Sequence, residues 1–476
     1  MMLLRLAPKP SSPQGALGFF CFRRRRQRGR PAGRMTHEIG TVPRTDAVRG
    51  RLSRTDHENH RGIIEMMLDR RSLLKVGGAG AGLLATPYFF HRTAQAADTI
   101  KVGVLYSLTG TTAIIETSLN HATLMAIDEI NAAGGIHGKK LVPVVEDPES
   151  DPATFAQKAR KLVLSDRCVS VFGSYTSASR KAVLPVFEKY KNLYWYPTLY
   201  EGRECSQNVI YTGAVPNQQQ KDFIPWLVKN FGKRFYLIGS NYIYPKEENN
   251  VCKILLKQLG GEVVGEEYVP LGHSEFSSVI QKFQDTKPNV IFSTVVGDSV
   301  VALHRQYKAA GLDPAKMPMA SLTTSEEEIA AMGGEFAAGH FTSAPYFMSY
   351  DSPENHKFVE AYQKRWGSGK VTNFVSEPAY FQVHLFAKAA AKLAPSDLHP
   401  AEIRKAAWGE SYQAPEGLVK IDPDNAHTYL WPKIGQAQAN GQFKIIEQSK
   451  EWVKPLPYWA YPGEVCTPTG MMEKKG

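Results

Sequence analysis

Cysteine is scarce: the chain has five in 476 residues, at positions 21, 168, 205, 252 and 466. There is no Cys-x-x-Cys pair and no His at ligand spacing, which argues against a zinc site. One structural disulfide among Cys168, Cys205, Cys252 and Cys466, or buried free thiols, both stay open. No stretch reaches the roughly 20 apolar residues of a membrane-spanning helix. Excess charge is missing from most of the chain as well. The formal net charge is +11, but residues 1–66 hold 14 Lys and Arg against 5 Asp and Glu, and residues 67–97 hold 4 against 1. The rest carries a net −1, which excludes a nucleic-acid footprint on the folded body.

The most informative stretch is Gly173 to Pro185, and it too is defined by a lack. Before Arg180 it holds no carboxylate, no His, no Cys and no other charge. It offers the hydroxyls of Ser174, Thr176 and Ser177 and the ring of Tyr175. A short apolar run, Cys168 to Phe172, reads as a buried strand before it, and a helical period follows it. The loop therefore sits at a strand's carboxyl end and a helix N-terminus, where open α/β sheets bind ligands and free N–H groups collect. Such a loop suits holding a small neutral polar molecule and suits cleaving one poorly.

The chain begins with a basic leader over 1–66, including the run Arg23 to Arg26. It reads as disordered, or as the product of a start site placed ahead of Met66 or Met67. Residues 67–97 carry Arg70-Arg71-Ser72-Leu73-Leu74-Lys75, a Gly/Ala-rich apolar run from Val76 to Ala85, and small residues at the Ala94-Gln95-Ala96 step. That order is a secretory signal and resembles the twin-arginine type. The mature protein is expected to start near Asp98 and to be periplasmic.

From Thr99 strands and helices alternate, which predicts parallel sheets with helices on both faces. Strands are expected at 99–106, 140–146, 168–172, 194–198, 235–240, 262–269, 290–295, 317–322 and 339–345. Ala122 to Ala132 reads as a helix ending at Gly134-Gly135. That is too many strands for one sheet of usual size. The expected division is two α/β lobes, with 98–213 and 343–414 in the first and 214–342 and 415–476, including a C-terminal tail, in the second. Ligands of such proteins lie between the lobes.

Several loops carry a resemblance. Ser107-Leu108-Thr109-Gly110, Ile127-Asp128-Glu129-Ile130-Asn131 and Gly134-Gly135-Ile136-His137-Gly138-Lys139 resemble those of type I periplasmic binding proteins. Ser177-Ala178-Ser179-Arg180-Lys181-Ala182-Val183-Leu184-Pro185, Tyr196-Pro197-Thr198-Leu199-Tyr200-Glu201-Gly202, Tyr242-Ile243-Tyr244-Pro245 and Ser321-Leu322-Thr323-Thr324-Ser325-Glu326 resemble its urea and short-chain amide branch, over about 100–443. That branch includes receptors of urea ABC transporters and amide-sensing regulators of amidase expression. The resemblance implies a doubly wound, two-lobed fold with a multi-crossover hinge, no cofactor and no metal. It implies ligand contacts at Tyr175, Ser177, Tyr196 and Thr198 from one lobe and Tyr242, Tyr244 and Thr323 from the other. It also implies membrane permease subunits as partners. Urea receptors usually carry Trp at the position of Tyr175 and Val-Gln at Thr198-Leu199, so the pocket leans toward amides, with urea open.

Hydroxyls suit such a ligand because each both donates and accepts, while a dry pocket cannot leave its N–H and C=O groups unpaired. The alternatives are an amide-sensing regulator or a branched-chain amino-acid receptor. An amidase would need an activated nucleophile with a base, and Cys168, Cys205 and Cys252 have no evident partner. Glu377, in Ser376-Glu377-Pro378, reads as a charge at a helix start rather than a site residue.

Overall fold

The computed structural model describes residues 99–466 and 472–474. The leader over 1–66 and the signal peptide over 67–97 lie outside the described residues. Strand and helix alternate from the first described element. The first series is β1 (Ile100–Leu105), α1 (Ala113–Ala132), β2 (Leu141–Glu146), α2 (Pro152–Arg160), β3 (Ser170–Gly173), α3 (Ser177–Tyr190), β4 (Leu193–Tyr196) and β5 (Val209–Tyr211). Its strands form an all-parallel sheet in the order β2-β1-β3-β4-β5. Every residue of β3 and β4 is buried. Helices cover both faces, so these strands read as unbroken apolar runs rather than as an alternation.

The second series follows as α4 (Pro216–Phe231), β6 (Arg234–Ser240), α5 (Ile243–Gln258), β7 (Glu262–Val269), α6 (Ser277–Thr286) and β8 (Val290–Thr294). It continues with α7 (Asp298–Ala309), β9 (Met319–Ser321), α8 (Glu326–Met332), the short α9 (Gly334–Ala337) and β10 (Phe341–Ala344). The chain then returns to the first sheet. There α10 (Pro353–Trp366) and α11 (Ser376–Ala391) pack on α1, and α12 (Pro400–Ala407) packs on α11 and β4. β11 (Ser411–Ala414), β12 (Gly417–Ile421) and β13 (Thr428–Tyr429) make a small antiparallel sheet. Finally β14 (Lys433–Ala437) and β15 (Phe443–Gln448) add antiparallel strands to the second sheet, whose order is β15-β14-β10-β9-β8-β6-β7.

Both sheets therefore carry the same parallel order, β2-β1-β3-β4-β5 in one and β7-β6-β8-β9-β10 in the other. Each has a switch point where the winding reverses, between β1 and β3 and between β6 and β8. Ligands of open α/β sheets bind in the crevice outside the strand ends at such points.

Three differences from the sequence expectation have physical causes. α1 starts at Ala113, not Ala122, because its first turns bury Glu116, Ser118 and Asn120, polar positions that break the apolar period. Tyr242 and Tyr244 were expected on an extended stretch. Instead Tyr242 is the N-cap of α5 and Tyr244 lies in its first turn. The expected return to the second sheet at 415 comes later, because β12 and β13 stay at the β5 edge. There Tyr211 N–H donates to the Ala426 carbonyl at 3.0 Å, and Thr428 Oγ1 donates to the Tyr211 carbonyl at 2.9 Å.

The chain crosses between the sheets after β5, after β10 and after β13. Lys433 ties two of these crossings: its buried Nζ donates to the carbonyls of Pro345 at 2.6 Å and Trp431 at 2.9 Å. Glu377 is fully buried near this ammonium and accepts the Glu416 N–H at 3.2 Å. It is thus part of the hinge rather than a surface charge at a helix end.

Candidate ligand site between the two sheets

The loop after β3 is set by its backbone. Ser174 takes φ +65°, an uncommon conformation for a residue with a side chain, and its N–H donates to the Leu105 carbonyl at 2.9 Å. Thr176 then caps α3, accepting the Ser179 N–H on Oγ1 at 3.0 Å. Tyr175, between them, is pinned by its own carbonyl, which accepts the Tyr196 hydroxyl at 2.6 Å. Only 4% of Tyr175 is exposed.

Arg180 completes the support of this loop. Its Nη2 donates to Glu201 Oε1 at 2.7 Å, its Nε to Glu204 Oε1 at 3.0 Å and its Nη1 to Ser177 Oγ at 2.8 Å. Ser177 Oγ in turn donates to Glu201 Oε2 at 2.6 Å. The rings of Tyr196 and Tyr200 lie 4.9 and 4.3 Å from the guanidinium carbon. All three edges of the cation are thus engaged, and it is fully buried. Burial alone pushes the Glu204 carboxyl up, but Arg180 and Lys181 outweigh it and hold the carboxyl below its usual range.

The seven residues expected to meet a ligand separate into two groups. Tyr175, Tyr196, Tyr242 and Tyr244 come together from the two lobes: the Tyr242 and Tyr244 rings lie 6.2 Å apart, and both act electrostatically on the Tyr175 phenol. Burial holds these phenols above their ordinary pKa, so they stay neutral. The Tyr244 hydroxyl is buried and has no hydrogen-bond partner among the described residues. The three aliphatic hydroxyls instead staple the loops. Ser177 serves the Arg180 network, Thr198 Oγ1 donates to the Ser174 carbonyl at 3.2 Å, and Thr323 Oγ1 donates to the Val295 carbonyl at 2.6 Å. Thr198 and Thr323 spend their protons this way and keep lone pairs for an incoming N–H.

Other groups at the strand ends escaped sequence reasoning. Glu116 is fully buried and joins the loop after β1 to α1, with Oε2 accepting the Ser107 N–H at 2.8 Å and Oε1 the Thr112 hydroxyl at 2.6 Å. Across from it, Glu328 takes the Ser325 N–H and hydroxyl on Oε2, at 2.9 and 2.5 Å. The Ser-x-x-Glu spacing of that capping box was a readable signal. Nothing local marked Glu116, whose partners lie across a turn.

Burial pushes the Glu116 carboxyl up to about 7, against the pull of its bonds from Thr112 and Ser107. A carboxyl that binds its proton more tightly when folded contributes its full stability below its unfolded pKa. It loses that contribution as pH rises through the folded value. Glu116→Gln cannot ionise. Between pH 5 and 8 the stability difference should therefore shift in favour of the variant by roughly 2–3 kcal/mol, measured by denaturant unfolding at each pH. An unchanged difference would mean that Glu116 titrates normally.

The lobes meet directly at this site. The Asp298 N–H, after β8, donates to the Thr111 carbonyl, after β1, at 3.4 Å. Gly297 has φ +66°, and a Cβ there would stand 2.6 Å from the same carbonyl oxygen. Among the described residues no three or more His, Cys, Asp or Glu gather as a metal site.

Comparison with known proteins agrees with this geometry. The family described as periplasmic binding protein domain matches residues 100–463. The Leu/Ile/Val-binding protein homolog 6 of Brucella suis is 27% identical over 353 residues, covering 70% of this chain and 86% of the relative. A solute-binding protein of an ABC transporter from Rhodopseudomonas palustris, solved with 3,4-dihydroxybenzoic acid, superposes with a TM-score of 0.67. It is 22% identical and covers 75% of this chain and 99% of its own. A branched-chain amino acid transporter substrate-binding protein from Streptococcus pneumoniae, solved with isoleucine, gives a TM-score of 0.65 at 23% identity, over 75% of this chain and 100% of its own.

Proposed function

Because this chain belongs to the periplasmic binding protein family, we propose that it is the exported receptor of an ABC transporter that carries urea or a short-chain aliphatic amide to a membrane permease. In this reading export follows the twin-arginine route. The lobes are 98–213 with 343 to about 429, and 214–342 with about 430–476.

One observation carries the ligand class. Arg180 is the first charge of the strand-end loop, and its donors are consumed by Glu201, Glu204 and Ser177. That loop has no free cation to meet a carboxylate. The groups left suit a neutral amide. The Tyr244 hydroxyl donates to its carbonyl oxygen, the lone pairs of Thr198 and Thr323 accept its N–H groups, and the Tyr175 and Tyr242 rings face its plane. A buried charge would raise the cost of desolvating the site without a partner in the ligand. Lobe closure over the ligand then shifts the population from open to closed.

A branched-chain amino acid is the second reading, favoured by the similarity to the Brucella protein named for Leu, Ile and Val. It requires partners for an ammonium and a carboxylate. Glu328 could take the first, because its Oε1 is buried with no partner among the described residues. An amide sensor would share the pocket, and the location of the mature protein separates it from a transport receptor. Calorimetric titration of the mature protein with urea, formamide, acetamide, propionamide, leucine and isoleucine decides among these ligands. Heat from an amide or urea and none from the amino acids is expected. Heat from leucine or isoleucine alone would overturn the amide reading.

A further inference from the structure

The tail beyond β15 does not stay with the second lobe. It first runs along the crossings: the Val453 N–H donates to the Leu430 carbonyl at 2.8 Å, and the Leu456 N–H donates to Asn217 Oδ1 at 2.9 Å. It then reaches the loop after β4, where the Tyr458 N–H donates to the Gly202 carbonyl at 2.7 Å. A disulfide between Cys205 and Cys466, with Cα atoms 5.6 Å apart, fastens it there. The same loop carries Glu201 and Glu204, which hold Arg180 behind Tyr175.

The fastening point also touches the second lobe. Arg203 Nη1 donates to Glu247 Oε2 of α5 at 3.0 Å, and the Tyr461 hydroxyl donates to the same oxygen at 2.5 Å. The guanidinium lies over the Tyr461 ring at 4.0 Å. Loop, tail and α5 thus meet on one carboxylate, one turn from Tyr244.

We propose that the Cys205–Cys466 strap is a fourth, covalent connection between the lobes, and that it limits how far they open and so sets ligand affinity. Hinge proteins open by changing a few backbone angles in their crossings. A link that returns from the second lobe to the first, 261 residues apart in sequence, shortens the arc that motion can cover. An opened population that cannot spread far gives up less affinity to its own disorder. The inference rests on the two-lobed geometry and not on the identity of the ligand.

The test uses small-angle X-ray scattering of the ligand-free mature protein, oxidised and after treatment with dithiothreitol. The reagent's two thiols supply two electrons and two protons. The reagent ends as its cyclic disulfide, and Cys205 and Cys466 end as thiols. The reduced protein is expected to show a larger radius of gyration, and acetamide affinity is expected to fall about five-fold. The Cys205→Ser/Cys466→Ser protein should match the reduced one. Tyr461→Phe keeps the disulfide while loosening the tie to Glu247, so it should open less than reduction does. Should the serine variant fail to fold, reduced wild type and Tyr461→Phe carry the comparison. Equal radii for oxidised and reduced protein would overturn the proposal whatever acetamide does. A wild type that ignores every amide would sink the ligand reading and leave the scattering result standing.

Discussion

Arg180→Met is expected to lower the stability of the mature protein by about 3–5 kcal/mol, read from denaturant unfolding. The size follows from what the substitution leaves behind. Glu201 and Glu204 are 0% and 5% exposed, and Arg180 is bonded to both. Removing the cation strands two carboxylates and the Ser177 hydroxyl in a dry interior. Lys181 offsets little of this: it is about one-third exposed and reaches Glu204 at 3.1 Å but Glu201 only at 4.0 Å. Adding Glu201→Gln to Arg180→Met should recover part of the loss, because one of the uncompensated charges goes with it. A single variant within 1 kcal/mol of wild type would mean that the loop is held by its tyrosines instead.

Gly297→Ala should weaken ligand binding by about ten-fold or more, measured calorimetrically with acetamide. Two effects are combined in that figure. The backbone at Gly297, with φ +66° and ψ −147°, strains any side chain in both the open and the closed forms. The second effect belongs to closure: the new Cβ would stand 2.6 Å from the Thr111 carbonyl oxygen of the other lobe. Gly272→Ala supplies a control. Its Cβ would meet Thr111 Cγ2 at 2.7 Å, a side-chain atom that can be removed. Thr111→Ala should therefore restore binding to Gly272→Ala and fail to restore it to Gly297→Ala. Unchanged affinity in Gly297→Ala would show that the lobes do not need this contact to hold a ligand.

Both variants act on features that lie far apart in the chain, and that is where sequence reading ran short. Glu201 and Glu204 come 21 and 24 residues after Arg180 in the chain, with no period linking them. Ser177 looked like a ligand hydroxyl because its loop lies at the right strand end. What redirected it was a buried cation one helical turn away. Thr198 and Thr323 likewise sit at strand ends, yet each hydroxyl proton goes to a neighbouring carbonyl that only the assembled sheet brings near. The tyrosines were easier to read, since four aromatic rings at the ends of β3, β4 and β6 converge wherever those strands run parallel.

The alternation of apolar runs and helical periods was enough to determine two parallel α/β lobes. Strand burial and helix amphipathicity are local properties, written within a dozen residues. The absence of charge before Arg180 was equally local, and so was the loop's place at a helix N-terminus. Tertiary structure alone decided which hydroxyls are spent, that Cys205 takes Cys466 as its partner, and that Thr111 of one lobe stops against Gly297 of the other. Those outcomes depend on distances between segments more than 100 residues apart, and such distances are set by packing rather than by any pattern along the chain.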